Sequence, residues 1–235
     1  MSYFALAKEY LFPSDCGMCG VSLVYPEEAR YGLCTDCREI LTIEQGTRCR
    51  RCGRPLISEI DCCLSCRDGG ADYVDYGSAV FPYTGIYQSL LRAYKFDRHH
   101  GIGGFLAEKL LEGLAFFAEP PSAEAVLVPV PPRPGKLKRN GWDQIDHLAR
   151  LLRRTASSPP VYQCLKRLPS QNQKELNKEN RKINLLHRIR HTRKVPREVI
   201  LFDDVITTGS TLNACAAALK EGGAEKVYGI CLFYA

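Results

Sequence analysis

An α/β fold built on a parallel sheet, preceded by a small cysteine-rich metal-binding module, is the architecture this sequence predicts. Three observations lead there. Nine of the 12 cysteines fall within the first 66 residues, eight of them in CxxC pairs. Beyond residue 70, short apolar runs alternate with stretches of helical periodicity, the order expected of a parallel sheet covered on both faces. The last of the interior runs, at 198–205, ends in two acids followed by a Thr/Gly-rich turn. A chain of 235 residues suits a medium domain with a small one attached, which we delimit as 71–235 and 1–70. Hydrophobic content of 45% and charged content of 25% exclude a fibre or wholesale disorder. No run approaches the ~18 apolar residues that cross a bilayer, so no membrane insertion is expected. The opening MSYFALAKEYLFPSD is interrupted by Lys8 and Glu9 and lacks a secretory pattern, which makes the cytoplasm the expected compartment.

The cysteine pairs are Cys16/Cys19, Cys34/Cys37, Cys49/Cys52 and Cys63/Cys66. A CxxC turn sets two thiolates on one side of a tight loop, and two such turns supply the tetrahedral set that Zn²⁺ accepts. Gly20 and Gly53 follow two of these turns, where a positive φ closes the turn. Four pairs therefore predict two structural zinc ions, with Cys62 left over. Sequential pairing of the CxxC turns and an interleaved pairing both fit the spacing. A disulfide framework is disfavoured by the reducing compartment. An all-thiolate site has no open position for water, so the metal's expected work is to stabilise a segment with little core of its own.

In the second domain YVDYGSAVFPY (73–83) reads as a strand, rich in β-branched and aromatic residues. GIYQSLLRAYKF (85–96) and GFLAEKLLEGLAFFA (104–118) carry helical apolar spacing, AVLVPV (125–130) is a short buried strand, and WDQIDHLARLLRRT (142–155) is an amphipathic helix. VYQCL (161–165) is assigned as a strand, and the polar stretch 165–194 as a long loop. EVILFDDV (198–205) is a buried strand, TLNACAAALKEGG a helix, and KVYGICLFY (226–234) the last strand. Charge is concentrated: residues 133–197 carry 18 Lys or Arg against 4 Asp or Glu, a balance that attracts polyanions. His147, alone on its helix, reads as structural.

Chemistry concentrates at 199–211. The strand delivers Asp203 and Asp204 to the end of the sheet where open α/β folds bind ligands. Thr207, Thr208, Gly209, Ser210 and Thr211 then offer hydroxyls, a flexible glycine and the free N–H groups of a helix start, which suit a monophosphate. Two carboxylates there would repel a polyphosphate but accept hydrogen bonds from vicinal hydroxyls or share a Mg²⁺ with the ligand. Together they indicate a ribose 5-phosphate. No GxxxxGK[ST] is present, which excludes an NTPase P-loop.

Residues 199–211 resemble the signature with which type I phosphoribosyltransferases bind phosphoribosyl pyrophosphate (PRPP). Joined to the CxxC module, they make the chain resemble the ComF family of competence-associated proteins along nearly its whole length. The stretches YTGIYQSLLRAYKF, VPVPPRPGKLKRNGWDQIDHLA and SQNQKELNKENRKIN, the last with Gln173, Leu176, Arg181 and Asn184, carry the same resemblance. The family's usual Arg-Gly-Phe-Asn-Gln reads Asn140-Gly141-Trp142-Asp143-Gln144 here, with Lys138 and Arg139 as neighbouring cations. The resemblance implies a type I phosphoribosyltransferase fold. It makes Asp203 and Asp204 the catalytic pair that contacts the ribose hydroxyls, and assigns the 5′-phosphate to Thr207–Thr211. Pyrophosphate contacts fall on Val130, Pro131 and Arg133, with Lys136 and Lys95 as further cations, and Mg²⁺ accompanies PRPP. Three functions follow from the resemblance and stay open at this stage. They are phosphoribosyl transfer to an unidentified acceptor, a DNA-uptake role with binding of single-stranded DNA and a competence helicase as partner, and PRPP sensing without turnover.

Overall fold

The computed structural model describes residues 14–67, 72–169 and 188–235. At its centre four strands run parallel in the order β1 (Tyr76–Pro82), β6 (Lys226–Tyr234), β5 (Glu198–Ile206) and β2 (Val126–Pro129). The two central strands are the apolar runs of the sequence, and both faces of each are buried. Val199, Ile200, Leu201 and Phe202 are without solvent contact, as a strand covered on both sides requires.

One face packs against α4 (Gly85–Lys95), α5 (Ile102–Glu112) and α7 (Gln144–Leu152) through Leu90, Tyr94, Leu106, Ile145 and Leu148. The other packs against α8 (Ser210–Glu221) through Leu212, Cys215 and Leu219. Helix α7 starts where Asp143 accepts hydrogen bonds from the N–H groups of Ile145 and Asp146 at 3.0 and 3.1 Å, a side-chain cap. Trp142 and His147 surround the buried Tyr94, whose hydroxyl is 3.0 Å from His147 Nδ1. Burial, and then the neighbouring His100, lowers the His147 pKa, and the ring packs among Tyr94, His100 and Trp142.

Three boundaries differ from expectation. The helix assigned to 104–118 spans Ile102–Glu112 and tightens into a 3₁₀ turn over Gly113–Phe116. At 161–165 only Val161 reaches the central sheet, by a single bridge to Leu127. The chain pairs again from Leu165, as β3 (Leu165–Arg167) antiparallel to β4 (Ile189–His191), so part of the stretch read as loop is a two-stranded ribbon. A short helix, α6 (Lys136–Asn140), precedes α7.

The cysteine-rich segment contributes α1 (Pro26–Tyr31), α2 (Thr35–Glu39) and α3 (Leu64–Arg67). Its first knuckle, the four-cysteine group of Cys16, Cys19, Cys34 and Cys37, joins the core on the α4/α5 side, with Cys16, Leu23, Tyr31 and Leu33 buried there. Its second lies against β1. Gly77 N–H donates to the Arg50 carbonyl at 2.5 Å and Arg48 Nη1 donates to the Ala79 carbonyl at 2.7 Å. A Cβ on Gly53 or Gly77 would overlap the opposing backbone, so this approach requires glycine at both positions.

Candidate functional site

The eight paired cysteines form two groups, Cys16/Cys19/Cys34/Cys37 and Cys49/Cys52/Cys63/Cys66, with the four sulfurs of each within 4.8 Å of one another. Pairing is therefore sequential, and the interleaved arrangement does not occur. A tetrahedral Zn²⁺ with Zn–S of about 2.3 Å needs sulfurs about 3.8 Å apart. The Cys19–Cys34 and Cys52–Cys63 sulfurs are each 3.6 Å apart, so both groups fit zinc. Cys62 belongs to neither group; its thiol lies 3.7 Å from a carboxylate oxygen of Asp61. The knuckles are closed as the sequence indicated, with Gly20 at φ 76° and Gly53 at φ 73°.

The second site opens where two strands part. β2 stays in register with β5 only as far as Pro129 opposite Phe202. From there β5 continues, paired with β6 alone, while the other chain turns away as Val130-Pro131-Pro132-Arg133. The gap is a cleft of about 520 Å³ whose walls include Lys95, Arg133, Lys136, Arg167, Asp203 and Asp204. The acids thus sit within β5, not beyond its end, and strand alternation sends them to opposite faces.

Asp204 turns toward α4 and α7. One of its carboxylate oxygens accepts from Lys95 Nζ and from Gln144 Nε2, both at 2.7 Å. Burial opposes its charge, but the charge and hydrogen bond of Lys95, with Gln144, outweigh that and hold the carboxyl below its ordinary pKa. Gln144 is itself held by Lys136 Nζ at 2.5 Å, and Lys136 is anchored on Asp143 at 2.6 Å. Asp203 accepts only the backbone N–H of Asp204, at 2.9 Å, among the described residues. Burial, and then the neighbouring charge of Asp204, raise its pKa well above the ordinary aspartate range.

Beyond Ile206 the chain bends at Thr207–Gly209, with Gly209 at φ 72°, and enters α8. Thr208 and Ser210 hydroxyls are 2.8 Å apart, and a concavity of about 30 Å³ lies inside the bend. The bend and both acids share one rim, with Thr211 lining the main cleft as well. Arg133 and Lys95 line the same cleft as the acids, together with Val130 and Pro131.

Arg167 was not foreseen. It projects from β3 into the cleft, its pKa lowered by burial and then by the neighbouring Arg133 and Arg188. Its buried Nε has no partner among the described residues. Only the charge excess of 133–197 marked it, and that signal does not separate one cation from 18. Asn140 ends α6, exposed, with its carbonyl accepting from Arg98 at 3.1 Å, and does not line the cleft. Gln173, Leu176, Arg181 and Asn184 lie outside the described residues.

Residues 7–67 match the double zinc ribbon domain family. Competence protein ComFC of Streptococcus pneumoniae is 25% identical over 83% of this chain and 84% of its own length. Competence protein F of Haemophilus influenzae is 28% identical over 85% and 89%. DNA utilization protein YhgH of Salmonella typhimurium is 27% identical over 94% and 96%. No helix among the described residues is long and apolar enough to cross a membrane.

Proposed function

The chain belongs to the ComF family, and on that premise we propose that it is a PRPP-binding, phosphoribosyltransferase-like protein of DNA uptake. Residues 1–70 carry the metal and 71–235 the sugar-phosphate site. The observation that carries the reading is a juxtaposition. Two adjacent acids and a hydroxyl-lined bend at a helix start share the rim of one cleft that lysine and arginine also line.

In this reading the N–H groups and hydroxyls of Thr207–Thr211 hold the 5′-phosphate. Asp203, with an oxygen to spare, accepts from a ribose hydroxyl, and Asp204 does so once the ligand competes with Lys95. Lys95, Arg133 and Arg167 then face the pyrophosphate. Transfer would break the C1′–O bond, the electron pair leaving with pyrophosphate, and form a bond from C1′ to the acceptor. The cations neutralise charge as it gathers on the leaving group, and the acids hold the ribose so that C1′ stays aligned. Mg²⁺ bound with PRPP would add to that neutralisation.

Two of the named relatives are competence proteins and a third is a DNA utilization protein, and the charge excess of 133–197, 18 Lys or Arg against 4 Asp or Glu, suits a polyanion such as a single strand. Calorimetric titration of the zinc-loaded chain with PRPP and Mg²⁺ tests the first claim. One site per chain is expected, and absence of heat together with absence of competition by ribose 5-phosphate overturns it. Binding of a fluorescent single strand tests the second, with affinity falling steeply as salt rises. Affinity indifferent to salt refutes an electrostatic surface.

A further inference from the structure

The second knuckle abuts the bend. Arg54 follows Gly53 in the turn, and its own carbonyl accepts the N–H of Cys49 at 2.8 Å. Its side chain reaches across 153 residues of sequence to donate from Nη2 to the carbonyl of Thr207 at 2.5 Å. Cys52, Cys63 and Cys66 on one side, and Ile206–Gly209 on the other, enclose a space of about 20 Å³. That is room for little more than one water, so ribbon and bend are in near contact. The Nε of Arg54 is buried without a partner among the described residues. An arginine that served only solubility would rotate out and hydrate that group.

We propose that the Cys49/Cys52/Cys63/Cys66 knuckle is part of the phosphate site, with Arg54 as the positioning residue that fixes Thr207–Gly209. This rests on the sugar-phosphate reading above. The knuckle sets the backbone of Arg54, Arg54 sets the carbonyl of Thr207, and that carbonyl orients the peptide groups of the bend. Energetic coupling between two sites is reciprocal. An occupied bend must therefore retain metal in the second knuckle, as a metal-loaded knuckle favours an occupied bend. The first knuckle, on the α4/α5 side, provides the internal control.

The test uses the full zinc-loaded chain, with ribose 5-phosphate and PRPP as probes. Arg54→Ala should keep two zinc ions and melt within a few degrees of the parent protein yet bind ribose 5-phosphate at least tenfold more weakly, the scale of one charge-assisted hydrogen bond. Arg54→Lys should recover part of the loss. In the parent protein, saturating ribose 5-phosphate should slow one of two phases of zinc release to a chelating dye by several-fold, and Arg54→Ala should abolish that slowing. Equal affinity in parent and Arg54→Ala proteins, or release unchanged by the sugar phosphate, overturns the coupling and leaves the binding site standing. Parent protein that binds neither probe overturns the sugar-phosphate reading itself. Should Arg54→Ala lose zinc, the release experiment on the parent protein still decides.

Discussion

Replacing Lys95 by methionine, which keeps most of the stem and removes the charge, isolates the electrostatics of the cleft. The Lys95 Nζ–Asp204 contact is 2.7 Å, and the two side chains are 27% and 10% exposed, too buried for solvent to screen the pair away. At an effective dielectric of about 20 their attraction is about 6 kcal/mol, a ceiling that desolvation reduces. Asp204 has an escape, since it can protonate. Doing so at pH 7 from an ordinary value near 3.9 costs about 4 kcal/mol, which caps the loss. Gln144 and the Val205 N–H still serve the carboxyl, so we expect a destabilisation of about 3 kcal/mol. For a chain of this size that lowers the melting temperature by about 6–12 °C. Trp142, the sole tryptophan, packs edge-on against Tyr94 and reports on this region by fluorescence, zinc being held in fixed excess.

The pH dependence separates this account from simple loss of packing. In the parent protein the Asp204 pKa is lowered, so its contribution is present above the unfolded value and lost as pH falls through the folded one. In Lys95→Met the same carboxyl is raised by burial, so acid relieves its penalty. The gap between the two proteins should narrow steadily from pH 7 toward pH 4. A gap that stays constant over that range, or one below about 0.5 kcal/mol at pH 7, refutes the ion-pair reasoning.

Asp203 tests the cleft and Gly53 the knuckle, with Gly46 as a comparison. Asp203→Asn should weaken ribose 5-phosphate at least tenfold while leaving inorganic phosphate, which needs only the bend, unchanged in a titration of each. Because the parent Asp203 pKa is raised, the preference for ribose 5-phosphate over inorganic phosphate should decline as pH falls, beginning above the ordinary aspartate range, and Asp203→Asn should flatten that profile. Gly53→Ala combines a positive φ with overlap of the Ser78–Ala79 backbone, so it should lower stability by about 3 kcal/mol or more in a thermal melt. Gly46→Ala, at φ 135° with open space around it, meets backbone strain alone and should cost about 1–3 kcal/mol.

The sequence disclosed what local chemistry decides and hid what depends on distant contacts. Cysteine spacing shows four CxxC turns because each is self-contained, yet only the folded chain selects sequential pairing. β5 is legible because burial on both faces leaves an unbroken apolar run. The residues at 161–165 misled because one bridge at Val161 and the entry into β3 share a single apolar stretch. α6, five residues long with no buried side chain, has no periodicity to read. The acids and the bend were visible as a motif, whereas Arg167 and the Gln144–Asp204 link depend on where the β3–β4 ribbon and a helix meet β5. Contact between the second knuckle and the bend had no sequence signal, since Arg54 and Thr207 are joined only through the fold.

That contact bears on what the metal stabilises. β1 and β2 are the edges of the sheet, and an uncovered edge recruits other strands. At β2 the edge is covered by Pro160–Tyr162, where Leu127 donates to the Pro160 carbonyl at 2.9 Å and accepts from Tyr162 at 2.8 Å. At β1 the cover is the second knuckle, through Arg48 and the Arg50 carbonyl. A segment with so little core of its own cannot hold that position unaided once its thiolates are freed of metal. Zinc removal should therefore do more than unfold residues 14–67. It should bare Tyr76–Pro82, an apolar strand in which Ala79, Val80 and Phe81 are without solvent contact in the folded chain. The expected result is self-association of chelated protein, seen as a concentration-dependent rise in light scattering and reversed by zinc only before the aggregate matures. Elemental analysis should give two zinc ions per chain beforehand. Chelated protein that stays monomeric while losing its metal would show that β1 is protected by something other than the ribbon.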